Sequence, residues 1–512
     1  MKVRAAFAIF VYIVAANIPF WIASHTIGLL LTGWFNVEFA MIGILSFFIR
    51  RTLTIWLLLG AMLLDMLRGI GATYMLSPLE MLRSARYVSE SAPSHLWGIA
   101  VVTICIAVVC VMASLALDSR IDGRVRGYGA SALAIFVIAC GTVDVSTGHT
   151  TLFGQDRQLN TSRLTRVPTH ALVMSELQRQ GYSRTHPIGV NVSVPSASKM
   201  LARFETASSS SGTKDMLPNV VVIVVESWGK PLATDLEESL VRPYSGQGLL
   251  ERYTLSQGTV PFYGPTIAGE ARELCGSAMG FGLLTASVPE LKRCLPETMN
   301  AMGYHSTAVH GYSARMFDRV DWYGRIGFDE TWFRDQLQRQ GLPMCPGPFP
   351  GTCDAATSVW IGDQLEKNSD SPQFIYWVTL NSHLPVPIPN LVKDPPSCSD
   401  RSITAENEAI CSWYQLVFNV HRSVSELALR ATMRPTIFLI VGDHAPPFSS
   451  ARLRSQFSDR VVPYLLLVPK TDGTAESPRT TRSLAVVARP AAGARRAHLK
   501  KELKLSSSVV GG

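Results

Sequence analysis

Five apolar runs of about 20 residues each crowd the first 147 positions, at roughly 5–24, 28–49, 52–70, 97–117 and 129–147. A helix needs about 20 mostly apolar residues to cross a bilayer, because only a helix satisfies its own backbone there. This pattern predicts a multi-span α-helical membrane domain over residues 1–147. The first run has no small-residue cleavage site followed by a polar start, and a second run follows at once, so it reads as a retained span rather than a signal peptide. Short loops set the orientation. Lys2 and Arg4, Arg50 and Arg51, and Arg120, Arg124 and Arg126 alternate so that all would be cytoplasmic, outweighing Arg68, Arg83 and Arg86. Everything after about residue 147 is then expected outside the cytoplasm. Glu38 and Asp65 are acids inside these runs and read as functional candidates, or more plainly as residues near helix ends or facing a neighbouring helix.

The rest of the chain has a different composition. Residues 148–217 are polar, with a helical piece expected at 168–180, and end in a Ser-rich run, which predicts a linker, partly flexible. From residue 218 to 470, short β-rich runs alternate with helical stretches: VVVIVVE, HSTAVH, QFIYWVTL, TIFLIVGD and VVPYLLLV, with helices near 231–240, 268–275, 288–302, 354–368 and 405–430. Strands apolar on both faces and interleaved with helices predict an α/β domain, a layered α/β/α sandwich around a central, mostly parallel sheet. Residues 471–512 are basic and patternless and read as a disordered tail. From Lys470 on, the chain holds nine Lys/Arg against three Asp/Glu, most of the net charge of +8. No basic patch interleaves with aromatic residues, so no nucleic-acid partner is expected.

Six of the nine cysteines lie beyond the apolar half. An even number in an exported domain predicts disulfides. Spacing alone does not choose the pairing; the neighbours Cys275–Cys294, Cys345–Cys353 and Cys398–Cys411 would each close a short loop and are the expectation.

Ligands in open α/β sheets bind beyond the carboxyl ends of the strands. Glu226, His310, His383, Asp443 and His444 all fall there. Two carboxylates and an imidazole, Glu226, Asp443 and His444, suit one divalent metal, Zn or Mn, with Mg possible. Thr266 would complete the set with its hydroxyl. A metal lowers the pKa of a coordinated hydroxyl, so Thr266 would attack phosphorus without a dedicated base. Thr266 opens a helix after Gly264-Pro265, where free N–H groups favour an anion. The plainer reading of such a Thr is an N-cap. One turn on, Arg272 could face a phosphate with Glu270 holding it, or the two could be an exposed pair. His310 reads as a site residue, His305 as a surface one.

NVVVIVVESWG, the Thr at a loop–helix junction, AVHGYSARMFDRVDWYGRIGFDE, TLNSHLPVPIP and IVGDHAPPF together resemble the lipoteichoic-acid synthase and phosphoglycerol transferase branch of the alkaline phosphatase superfamily, and its relatives the phosphoethanolamine transferases. The resemblance covers about residues 218–470. It implies the alkaline-phosphatase type of sandwich, Glu226, Thr266, Asp443 and His444 as metal ligands, and Thr266 as nucleophile. Phe317 and Arg319 fall where the synthases place a Trp and an Arg beside the substrate headgroup, and His383 where a His contacts substrate and moves protons. It further implies a bacterial inner-membrane protein with its catalytic domain on the periplasmic or extracellular side. A phospholipid donor and a glycan or glycolipid acceptor follow. Phe317 in place of Trp and the loop GPTIAGEARELC depart from the synthases, while the exported cysteines fit the phosphoethanolamine branch better. Two rival expectations stand beside it. A sulfatase would carry a Cys/Ser-x-Pro-x-Arg motif, which TIAGEAR lacks. A non-catalytic membrane scaffold would not need the ligand set.

Overall fold

The computed structural model describes residues 2–26, 33–73, 84–90, 104, 108, 123–147, 158–160, 193–201, 217–262, 264–287, 291, 294–384, 395–398, 408–430, 432–448 and 451–470. In the N-terminal half these include helices α1 (Lys2–Thr26), α2 (Val37–Leu45), α3 (Arg51–Thr73) and α4 (Gly123–Thr147). Their shared core contains Tyr12, Phe20, Phe39, Leu58, Met62 and Leu133. The first, third and fifth expected spans fall on α1, α3 and α4. The second is broken: a short strand, Gly33–Phe35, precedes α2, whose 9 residues rise only about 14 Å, half a bilayer core. Asn36 caps α2 by accepting the Glu38 N–H at 3.1 Å, so Glu38 sits at a helix start. Most of the fourth run, 97–117, lies outside the described residues. Among the described residues, no helix is long and apolar enough to cross a membrane.

Seven strands form the sheet of the second half: β1 (Asn219–Val225), β2 (Tyr253–Pro261), β3 (His305–His310), β4 (Glu330–Phe333), β5 (Gln373–Val378), β6 (Thr436–Gly442) and β7 (Val461–Pro469). Their order is β2-β7-β6-β1-β5-β3-β4. The five strands from β6 to β4 are parallel, and β7 runs antiparallel to both β6 and β2. All five strands read from the sequence are present; β2 and β4 were not foreseen. The period of two along β1 explains the layers. Val220, Val222 and Val224 enter one core with α6 (Thr266–Cys275), α7 (Leu295–Ala301) and α8 (Arg319–Arg325). Val221, Ile223 and Val225 enter the other with α5 (Thr234–Val241), α9 (Asp354–Lys367) and α10 (Glu408–Ala428).

Disulfides join Cys275 to Cys294, Cys345 to Cys353 and Cys398 to Cys411, the neighbour pairing. Part of the segment expected as a linker packs on this domain. The Ser198 N–H and hydroxyl both donate to Glu273 Oε2, at 2.9 and 2.8 Å, and Leu201 is buried. The 168–180 piece, the Ser-rich run and the tail 471–512 lie outside the described residues.

Candidate active site

Strand register brings the acids together. Gly442 on β6 pairs with Val225 on β1, so the residues that follow, Asp443 and Glu226, leave neighbouring parallel strands side by side. Strands in such a pair lie about 5 Å apart. One ligand atom from each of Glu226, Asp443 and His444 lies within 4.8 Å of the others, and all three residues are buried. His444 Nε2 is 3.5 Å from Glu226 Oε1 and 3.3 Å from Asp443 Oδ2.

Thr266 is the first residue of α6. Its side chain does not cap the helix; the hydroxyl donates to Glu226 Oε2 at 3.0 Å. The fourth predicted ligand therefore joins the other three. Close packing of α6 on the Asp443 loop requires a small residue one turn on: a Cβ on Gly269 would lie 3.0 Å from the Asp443 Cβ.

Ser227 was missed by sequence reasoning, although a Ser directly after a strand-end acid is a signal. Its φ of 57° is left-handed, unusual for a residue with a side chain. That conformation aims its N–H at Asp443 Oδ1, 2.7 Å away, and its hydroxyl at Glu226 Oε1, 2.8 Å away. The His444 N–H also reaches Asp443 Oδ1, at 2.6 Å. Asp443 Oδ2 is buried and accepts no hydrogen bond; among the described residues its one ion-pair contact is with His444 Nε2, at 3.3 Å. Leaving a buried carboxylate oxygen without a donor is unfavourable; a cation would satisfy it. The donor set and this orphaned oxygen fit a divalent metal.

The charges respond to one another. Burial pushes the Asp443 carboxyl up to about 7, with the Glu226 charge adding to the effect. Burial also acts to raise Glu226, but His383, His444 and the Ser227 and Thr266 hydroxyls bring it below its usual value. His444 is raised: burial opposes its charge, and Asp443 and Glu226 overcome it.

His310 ends β3 and is buried. Burial and the Arg319 charge hold it well below the usual histidine value, so it is neutral; its Nδ1 faces the Val378 carbonyl at 3.0 Å. His383 is close enough to Glu226 for its charge to act there. Its ring packs on Phe349, and Nδ1 lies 2.7 Å from the Leu384 carbonyl. A second missed residue, Asp354 at the start of α9, organises this loop. Its carboxylate accepts the Leu380 N–H at 3.0 Å and the Asn381 N–H at 2.7 Å, while its own N–H donates to Asn381 Oδ1 at 2.7 Å. From the other side Ser382 Oγ donates to the Glu226 carbonyl at 2.5 Å.

The expected Glu270–Arg272 pair does not form. Residues two apart on a helix point to opposite sides. Glu270 accepts from Arg319 Nε and Nη2 at 3.0 and 2.7 Å, and from the Tyr323 hydroxyl at 2.5 Å. Arg272 is committed elsewhere: to Glu273 at 2.5 Å, and to the carbonyls of Pro261, Asp443 and Gly442 at 3.1, 3.3 and 2.6 Å. It fixes the loop that carries Asp443 and His444. Arg319 is buried, with its guanidinium over the Phe317 ring at 5.1 Å. His305 is half exposed and lies 3.5 Å from both Asp329 and Glu330, as a surface residue.

No curated protein matches the sequence. Solved structures similar to this chain include the lipoteichoic acid synthase LtaP from Listeria monocytogenes, at 14% identity and TM-score 0.37, over 50% of this chain and 66% of that one. They also include the Streptococcus pyogenes phosphoglycerol transferase GacH in complex with sn-glycerol-1-phosphate, at 14% identity and TM-score 0.37, over 54% and 77%. A third is the C-terminal periplasmic domain of EcEptC from Escherichia coli in complex with Zn, at 12% identity and TM-score 0.35, over 51% and 74%. The family model described as Sulfatase matches residues 218–482, more than half of the sequence and all of the sheet described above. The chain belongs to the sulfatase family.

Proposed function

We propose that this protein is a metal-dependent membrane transferase. It moves a phospho-alcohol, phosphoethanolamine or phosphoglycerol, from a phospholipid to an envelope glycan or glycolipid through a phospho-threonine on Thr266. The observation that carries this reading is the 3.0 Å contact of Thr266 Oγ1 with Glu226 Oε2, at the first residue of a helix. A hydroxyl in that position can lose its proton toward a carboxylate while the free N–H groups of the first turn receive a phosphoryl oxygen.

Glu226, Asp443 and His444, with Thr266, would hold the ion: Zn or Mn suit the imidazole, and Mg the carboxylates. When bound, a divalent ion lowers the pKa of the threonine hydroxyl and offsets phosphoryl charge. In the first step the Thr266 oxygen forms a bond to phosphorus. The bond from phosphorus to the diacylglycerol oxygen breaks, and that oxygen takes a proton as diacylglycerol leaves. In the second, an acceptor hydroxyl gives up its proton, attacks the same phosphorus and frees Thr266, which regains a proton. His383 moves these protons, and Phe317 and Arg319 wall the headgroup. The apolar N-terminal half would be embedded in a bacterial inner membrane, with residues 218–470 on its outer side, where a lipid donor is within reach.

A sulfatase or phosphodiester hydrolase is favoured only by the family match. Thr266 stands where a sulfatase would carry a Cys or Ser, and no Pro lies two residues on. A scaffold without catalysis leaves the orphaned Asp443 oxygen unexplained. In membranes holding the purified protein, Thr266→Ala should abolish transfer from phospholipid. Transfer at the wild-type rate by that variant would rule the mechanism out, and release of sulfate from an aryl sulfate by the wild type alone would favour the sulfatase.

A further inference from the structure

Two consecutive residues that carry side chains, Phe317 and Asp318, adopt left-handed backbone conformations, with φ of 55° and 47°. Each costs about 1–2 kcal/mol without glycine, so the surroundings must hold them. Part of the support is local. Trp322 Nε1 donates to the Phe317 carbonyl at 2.9 Å, and the Phe281 ring meets Phe317 edge-on at 5.5 Å. The rest comes from more than 220 residues earlier in the chain. The Arg86 guanidinium pairs with the Asp318 carboxylate. It also donates to the Tyr87 hydroxyl at 2.8 Å and lies over that ring at 4.9 Å. The Tyr87 ring in turn meets Phe317 edge-on at 5.9 Å. Nearby, the Tyr312 hydroxyl donates to the Glu90 carbonyl. Tyr87 is 5% exposed, and among the described residues of the core on that face of the sheet it alone precedes residue 197.

We infer that Arg86 and Tyr87 are positioning residues: the segment Ser84–Glu90 holds the Phe317–Arg319 wall in the shape that reads the donor headgroup. The inference rests on the proposal that this wall contacts the donor. It makes the N-terminal half part of the catalytic unit and not merely an anchor. A charge pair and an aromatic edge contact, at the left-handed residues themselves, fix the backbone that aims Arg319 at Glu270 and seats Phe317 against Phe281. Without them Phe317 and Asp318 relax toward ordinary backbone angles, and the wall loses its form before the chemistry at Thr266 does.

The test uses the full-length protein in phospholipid vesicles, with initial rates of adduct formation on Thr266 measured against donor concentration. Tyr87→Ala should raise the donor KM by about tenfold, the scale of a lost buried aromatic contact, and Arg86→Ala by about two- to fivefold, the scale of an exposed ion pair, each lowering kcat less. Tyr87→Phe keeps the ring and should recover most of the KM. The reversed pair, Arg86→Asp with Asp318→Arg, should bind donor better than either single change, which a general loss of folding cannot produce. An unchanged KM in Arg86→Ala, or no recovery in the reversed pair, overturns the inference alone. No adduct in the wild type overturns the transferase reading and this inference with it.

Discussion

Arg272 on α6 donates to the Gly442 carbonyl at 2.6 Å and so ties that helix to the strand that delivers Asp443 and His444. The guanidinium is fully buried and also pairs with Glu273, which holds Ser198. One side chain thus links the helix of Thr266 to the loop of Asp443 and His444.

Removing it strands a buried carboxylate and several carbonyls. Arg272→Ala should destabilise the domain by about 3–5 kcal/mol, the scale of a broken buried ion pair, as read by chemical denaturation. Arg272→Lys should recover only part of this, because one ammonium cannot serve four acceptors in fork geometry. Metal affinity should fall in both. A variant with wild-type stability would show that the ligand loop holds itself.

The metal-free site should be sensitive to pH through Asp443. Its carboxyl, ordinarily at 3.8, is pushed up to about 7. Between these values the folded protein holds a proton that the unfolded chain has released, so this group's contribution to stability falls as pH rises. Metal-free wild type should therefore lose stability relative to Asp443→Asn from about pH 4 to pH 7. A metal must displace that proton, so affinity should weaken as pH drops below about 7, by close to tenfold per unit for one proton. Calorimetric titration in two buffers of different ionisation enthalpy would count the protons released; none released contradicts the assignment.

Asp354 holds the His383 loop by bonds to two N–H groups. Stranding each costs about 1–3 kcal/mol. Asp354→Ala should lower kcat by about tenfold or more through misplacement of His383, while the donor KM changes less. Reducing the neighbouring Cys345–Cys353 disulfide should move kcat in the same direction. A fall in thermal stability with kcat intact would assign Asp354 a purely structural role.

The convergence of Glu226, Asp443 and His444 could be read in the sequence because these residues follow strands that are apolar on both faces. A run such as VVVIVVE announces both its burial and its end. The three disulfides followed the same logic of near neighbours. Strand β2 escaped notice because YTLSQGTVP is half exposed along its length and carries Ser, Gln and Gly. In the sequence Asp354 has no mark beyond being an acid in the first turn of a helix, where any carboxylate is favoured. Glu270 and Arg272 were joined as neighbours in sequence, whereas the helix turns them apart to Arg319 and to Gly442. Tyr87 and Arg86 sit among polar residues between two apolar runs, and nothing local points to a partner more than 200 positions away.

On the proposed mechanism Thr266 carries the phosphoryl group. Full-length protein in phospholipid vesicles, quenched with acid and digested, can be weighed peptide by peptide. The peptide holding Thr266 should gain the mass of a phosphoethanolamine or phosphoglycerol group, and Thr266→Ala should show no gain anywhere in the chain. An unmodified Thr266 peptide under conditions where diacylglycerol accumulates, or a gain on any other residue, would contradict it.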